Sequence, residues 1–295
     1  MAVPFENPTN TTILEIIGEA AEGIRQPAPS TLNSTSRDAR NWIKAANAAG
    51  QEIRDKYIWP FLSKDFLITT SATVKSYSMP EDFNRSIFDT FWQKGQFRQM
   101  LGPITPREFV AQQNGVATVF PYFQFRFSGV GTNNIEVLQD PGTGQQIVFR
   151  YQSRNWLLPT DDWHSGASCV NSQCVQNAGN VYACQNTWGP STVAPTQTSG
   201  VSKGSDSVIW QFAAYEKVVE DGARPLVNST LLKLGIQYNW LMVNGFDYDA
   251  ILTKYERLMS QCVKAATGAR AFIIADEGAN KFFGWANVPQ TGWGQ

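Results

Sequence analysis

Hydrophobic positions recur three and four residues apart at both ends of the chain and two apart in its middle. Within residues 228–265, Leu231, Leu234, Tyr238 and Leu241 fall on one helical stripe, and Ile251, Tyr255, Leu258, Cys262 and Ala265 on another. Ser229 stands where the first of these helices needs an N-cap and Gly245 where it ends; Asp247 caps the second and Gly268 closes it. A link as short as residues 244–247 folds the pair into an antiparallel hairpin. At the other end, Thr12-x-x-Glu15 forms a capping-box pattern ahead of Ile13, Ile16, Ile17, Ala20 and Ile24, which predicts a helix over residues 12–24. Ser36 caps a longer helix with Trp42, Ala46, Ala49, Ile53 and Tyr57 on one face, and Pro60 stops it.

The middle reads as strands. Phe123, Phe125 and Phe127 alternate with Gln124 and Arg126, Ile135 and Val137 flank Glu136, and Ile147, Phe149 and Tyr151 alternate with Val148 and Arg150. Residues 66–70, 76–79 and 87–92 add further strands, and Asp140-Pro141-Gly142 marks a turn, so an antiparallel sheet of about six strands is expected. Thr105-Pro106-Arg107-Glu108 combines an N-cap, a proline at the first helical position and a capping-box glutamate, predicting one short helix to Asn114, ended by Gly115.

These elements imply an α+β fold: a helical bundle built from the N- and C-terminal helices, with an inserted antiparallel β region and an extended C-terminal arm. The expected divisions are residues 1–60 for the first helices, 61–156 for the β region with its short helix, 157–207 for a polar cysteine-containing insertion, 208–268 for the helical hairpin, and 269–295 for the arm. The insertion is dominated by Ser, Thr, Asn, Gln and Gly and reads as a long connection or a small polar lobe.

Composition narrows the function. A chain of 295 residues, 42% hydrophobic, can bury roughly three quarters of its unfolded surface. Its 24 basic and 25 acidic residues nearly balance, and no basic run or basic-aromatic stripe prepares it for sequence-specific DNA binding. No apolar stretch approaches the roughly 20 residues of a membrane span, and the N-terminus has neither a basic leader nor an apolar core, so a soluble protein made in a cytoplasm is expected, without a membrane partner. Ten tryptophans and eighteen phenylalanines beside only 17% charged residues exceed a free monomer's need and point to assembly.

Candidate chemistry is sparse. His164, Cys169, Cys174 and Cys184 lie close together in sequence and could enclose a zinc ion, but four and nine residues separate the cysteines where paired ligands favour two to four. A disulfide, with Cys169 or Cys174 joined to Cys184, and free thiols are the competing readings. Cys262 sits on an apolar helix face, where a buried, inert thiol is the ordinary outcome. Asp161, Asp162 and His164 are neighbours on a polar loop, which is weak support for acid-base catalysis, and no nucleophile elbow, phosphate loop, dinucleotide fingerprint or calcium loop is present. Neither an enzyme nor a cofactor is expected. The arm is too broken by Gly and Pro for a helix yet carries Phe272, Ile273, Ile274, Phe282, Phe283, Trp285 and Trp293, and water-exposed apolar surface costs about 25 cal/mol per Å². These residues are expected to lie on the chain's own body, on a neighbouring subunit or on a partner.

Five segments stand out in order: residues 39–59, a helix ending in aromatics; Tyr77-Ser78-Met79-Pro80-Glu81-Asp82-Phe83; Gly102-Pro103-Ile104-Thr105-Pro106-Arg107-Glu108-Phe109; Leu234-Gly235 leading to Gly245-Phe246-Asp247-Tyr248; and Asn287-Val288-Pro289 with Trp293. In this order they resemble the head-to-tail adaptor, or connector, family of short-tailed and related bacteriophages. The likeness covers residues 13–114 and 218–268. It implies a structural virion protein at the portal vertex, a ring of twelve copies between the portal protein and the tail nozzle that continues the DNA channel. DNA would pass through without sequence-specific binding. The chain departs from the family pattern between Trp156 and Trp210, where members have a much shorter connection. A carbohydrate-binding tail fibre or spike and a tail-associated hydrolase are the rival readings; the first would be expected to show long β repeats, which the sequence lacks.

Overall fold

The computed structural model describes residues 11–34, 36–94, 98–114, 123–128, 134–138, 142–186 and 188–266. Local capping bonds set its first elements. In α1 (Ile13–Gly23), Thr12 N donates to Glu15 Oε2 at 2.9 Å and Glu15 N donates back to Thr12 Oγ1 at 3.4 Å. In α2 (Arg37–Lys56), Ser36 Oγ accepts from Ala39 N at 3.1 Å, satisfying one of the amides a helix start leaves open. Both begin where the sequence places them.

A 3-10 turn (Pro60–Leu62) leads into β1 (Ser63–Thr69), β2 (Ser76–Ser78), β3 (Phe83–Ser86), β4 (Trp92–Lys94) and β5 (Arg98–Gln99). Then come α3 (Pro106–Asn114), β6 (Phe125–Ser128), β7 (Asn134–Val137) and β8 (Gln146–Ser153). The predicted capping box of α3 is formed, with Thr105 N donating to Glu108 Oε2 at 2.8 Å; Gly115 lies outside the described residues. The strand expected over residues 87–92 is instead a turn between β3 and β4, with Asp89 at φ +61°. In the turn before β8, Gly142 has φ +71°, while Asp140 and Pro141 lie outside the described residues.

The segment expected as a polar insertion continues with β9 (Leu157–Leu158), β10 (Ala167–Cys169), β11 (Cys174–Asn177), β12 (Asn180–Cys184), β13 (Trp188–Ser191) and β14 (Val201–Lys203). After β15 (Ile209–Phe212) and β16 (Arg224–Pro225), the chain ends its described part with α4 (Ser229–Asn244) and α5 (Asp249–Ala266). Asn228, not the expected Ser229, caps α4: its side chain accepts from Leu231 N at 2.9 Å. Asp247 Oδ1 accepts from Asp249 N at 3.2 Å at the start of α5. The deepest positions of α5 are Tyr255, Met259 and Cys262, so its buried face is centred slightly off the predicted stripe and leaves Leu258 half-buried.

The expected helical bundle with a single β insertion is therefore corrected. Among the described residues, sixteen strands in five antiparallel sheets outnumber five α-helices. The expected six-stranded sheet is divided between β1-β8-β4-β5, with β3 also on β8, and β2-β7-β6. The remaining sheets are β9-β16, β10-β13 and β11-β12-β15-β14. The helices do not close a core alone. α4 packs against α1, α2 and α5, and the space beside them is filled from the strand-rich segment by Trp156, Leu157, Val181, Tyr215, Val218, Ala223 and Val227. Trp156 is the clearest case: its indole Nε1 donates to Glu216 O at 2.8 Å, and a Cβ on Gly50 of α2 would meet its ring at 2.4 Å. Gly235 serves a similar purpose in α4, where a Cβ would stand 3.1 Å from Ala49 and 3.2 Å from Tyr255.

A second core joins the first two sheets through Phe66, Phe91, Phe125, Ile135, Ile147, Phe149 and Tyr151. Phe91 stacks on Phe149 with ring centres 4.6 Å apart and on Phe125 at 4.1 Å. At the edge of this core Asp82 is fully buried and accepts from Lys64 Nζ at 3.0 Å, Tyr151 OH at 2.7 Å and Ser153 Oγ at 2.6 Å. Lys64 also donates to Asn180 Oδ1 at 2.8 Å, which ties β1 to β12. A third, smaller core of Val175, Tyr182, Val208, Trp210 and Phe212 lies within the lobe formed by β10–β15.

Candidate assembly surface

The turn between α4 and α5 exposes apolar side chains held in fixed positions. Gly245 adopts φ +74° and its N–H, together with that of Phe246, closes the last turn of α4, so the chain reverses over four residues. Trp240 stacks on Trp42 of α2 at 5.2 Å and on Phe246 at 5.8 Å, the latter nearly parallel at 3°. Around this stack Met242, Val243 and Phe246 are 41%, 75% and 52% exposed. Tyr238 adds contacts to Tyr248 at 5.5 Å and Tyr255 at 6.1 Å. Exposed apolar residues standing singly are ordinary, but three within five residues, beside a stack of aromatics, make this turn a candidate contact surface.

A groove of about 480 Å³ runs between α2 and α5, with an apolar floor of Leu252, Tyr255, Met259 and Val263. Glu52 and Lys56 of α2 and Glu256, Ser260 and Lys264 of α5 form its rims. Burial and the Glu52 carboxylate push the Tyr255 phenol well above its usual range, so it stays neutral. The groove has no ionised group on its floor.

The residues considered for chemistry are placed as follows. Cys169 and Cys184 form a disulfide with Cα atoms 6.0 Å apart, joining β10 to the end of β12 and removing both as zinc ligands. Among the described residues no group of three or more His, Cys, Asp or Glu is arranged to hold a metal ion. Cys174 is a half-buried free thiol, pushed up in pKa by burial and by Glu220, and Cys262 is a buried free thiol raised by burial. Asp162 pairs with Arg224 and accepts from Gln176 at 2.8 Å; these bonds hold it below the usual carboxylate range. Asp161 accepts from Gln173 at 2.9 Å, and His164 is exposed beside the carbonyl of Asp162. The three serve the packing of β11 and β16 rather than converging on a shared point.

The disulfide closes a separation of 15 residues, and such a loop is worth about 3 kcal/mol by the chain-entropy relation. Replacing both cysteines with serine is expected to lower stability by that order in urea unfolding. Thiol titration of the unfolded, unreduced chain should then find two free groups, Cys174 and Cys262; four would remove the bond.

Sequence reasoning passed over Trp240, Met242 and Val243, because they lie off the apolar stripe of their helix; in the structure Trp240 stacks on Trp42, and Met242 and Val243 are exposed beyond it. Phe272, Ile273, Ile274, Phe282, Phe283, Trp285 and Trp293 lie outside the described residues. Among the described residues no helix is long and apolar enough to cross a membrane. In comparison with known proteins, the chain matches no family model and no characterised protein.

Proposed function

We infer that this chain is a structural virion protein: a head-to-tail adaptor, assembled as a ring of about twelve copies between the portal protein and the tail nozzle. It continues the channel through which DNA leaves the head. The observation that carries this reading is the braced apolar turn of Trp240, Met242, Val243 and Phe246, a surface suited to a protein partner. The same turn is built from Gly245-Phe246-Asp247-Tyr248, one of the motifs on which the resemblance rests. In a cyclic assembly each copy offers two different faces to its neighbours, so apolar residues beyond one monomer's need have a use. The balanced charge suits DNA that slides through without being held.

The test is location and association together. Imaging purified particles with the chain tagged should place it at the vertex between head and tail, and density on the fibres or elsewhere on the capsid would overturn the reading. Replacing Val243 and Phe246 with aspartate should weaken ring formation or portal docking by about 30-fold or more, the scale of a lost central anchor, while leaving the fold intact.

A further inference from the structure

The groove between α2 and α5 has a neighbour in sequence that fits it. Val263 and Lys264, at one end of the groove, stand just before the last described residue of α5, Ala266. The chain then continues through residues 267–295, beginning Thr267-Gly268-Ala269-Arg270-Ala271-Phe272-Ile273-Ile274. We propose that residues 269–274 turn back at Gly268 and lie in the groove of their own chain, with Phe272 and Ile274 covering Met259 and Tyr255.

Three physical arguments converge. The first is reach. Met259 is seven residues back along α5, about 10 Å at 1.5 Å per residue, and Tyr255 is about 16 Å back. Six extended residues span roughly 20 Å, so the segment covers the floor without slack or strain. The second is pattern: in an extended chain Phe272 and Ile274 share one side, and a floor of Leu252, Tyr255, Met259 and Val263 offers apolar partners along that side. The third is proximity. A two-residue link from the helix to the segment makes docking intramolecular, at an effective concentration that a separate copy has to match by other contacts. The charged side chains of the lining, Glu52, Lys56, Glu256 and Lys264, stand on the rims, where they can stay in water while the floor is covered.

This inference does not depend on the adaptor reading. It divides the arm: the near part anchors the arm to its own helix, and Phe282, Phe283, Trp285 and Trp293 remain for partners. The test uses the full chain in a Cys174→Ser background. Ser260→Cys on the groove rim and Ala271→Cys beside Phe272 should be joined within one chain by a short bis-maleimide linker, about tenfold faster than Ser260→Cys with Asn287→Cys. Mixing isotope-labelled and unlabelled chains separates the alternatives, since links between copies would mean that a neighbour's arm fills the groove, and absence of any link would mean that the arm lies elsewhere. Either result overturns the proposal. As a second measurement, Phe272→Asp with Ile274→Asp should raise the reactivity of Cys at position 260 toward a soluble maleimide by about tenfold, and an unchanged rate also overturns it.

Discussion

Replacing Asp82 with alanine is expected to destabilise the chain by about 3–5 kcal/mol, the cost of leaving one member of a buried ion pair without its partner. Asp82 is fully buried, and its carboxylate accepts three hydrogen bonds, from the Lys64 ammonium, the Tyr151 hydroxyl and the Ser153 hydroxyl. Removing it takes the acceptor from the Tyr151 and Ser153 hydroxyls and the counter-charge from Lys64, which keeps Asn180, and each buried polar group left unmatched adds its own desolvation penalty. Thermal unfolding should fall on the order of 10 °C. Asp82→Asn separates charge from shape: it keeps an acceptor oxygen in place but leaves the Lys64 charge uncompensated. A loss below about 1 kcal/mol in both variants would mean that the network contributes shape and no electrostatic stability. Because Lys64 also binds Asn180, the same substitution should loosen the contact between β1 and β12.

On the adaptor proposal, deleting residues 271–295 is expected to abolish the yield of infectious particles while leaving filled heads that then lose their DNA. The deletion removes Phe272, Ile273 and Ile274, which hold the arm to α5 in our proposal, and Phe282, Phe283, Trp285 and Trp293, which the same reading assigns to the portal. Central aromatic anchors carry a disproportionate share of binding energy, so losing a whole set costs far more than a tenfold change in affinity. Among the described residues three cores are formed by residues up to Ala266, so the shortened chain is expected to fold, less stable by the cover lost over Tyr255 and Met259. A cooperative unfolding transition with absent tail attachment is the expected pair of results. Stable, tailed, infectious particles from the deletion would remove the arm from the portal interface.

Helix starts were legible from the residues because capping is local: Thr12, Ser36 and Thr105 each bond an amide within three residues. Gly245 was legible as a helix end for the same reason, since only its neighbours decide that it adopts φ +74°. The exception shows the limit. Asn228 and Ser229 are adjacent and both are good caps, so residue type does not choose between them; Asn228 takes the position, with Leu231 and Leu232 buried behind it. The division of strands into sheets was not legible. β8 pairs with β1, β3 and β4, and such pairings join residues far apart in the chain.

The strands of the lobe were not legible for another reason. They run three to five residues, too short for alternation to stand out among Ser, Asn and Gly, although Val175, Tyr182, Val208, Trp210 and Phe212 do supply an interior. The cysteines gave the chemistry but left Cys169 and Cys174 as partners for Cys184; in the structure Cys174 stands opposite Ala183 in the β11–β12 register, and Cys169 makes the bond. Asp82 was quoted within a motif without a role, because nothing in a sequence tells a buried carboxylate from an exposed one.

The position of α4 among three other helices has a consequence for how the chain can change over generations. Leu231, Leu232, Gly235 and Ile236 are each read by a neighbour on some side, so a substitution there must be answered on α1, α2 or α5 before it is tolerated. In its last turn Met242 and Val243 stand largely in the open, which leaves that turn free to drift while the rest of the helix stands still.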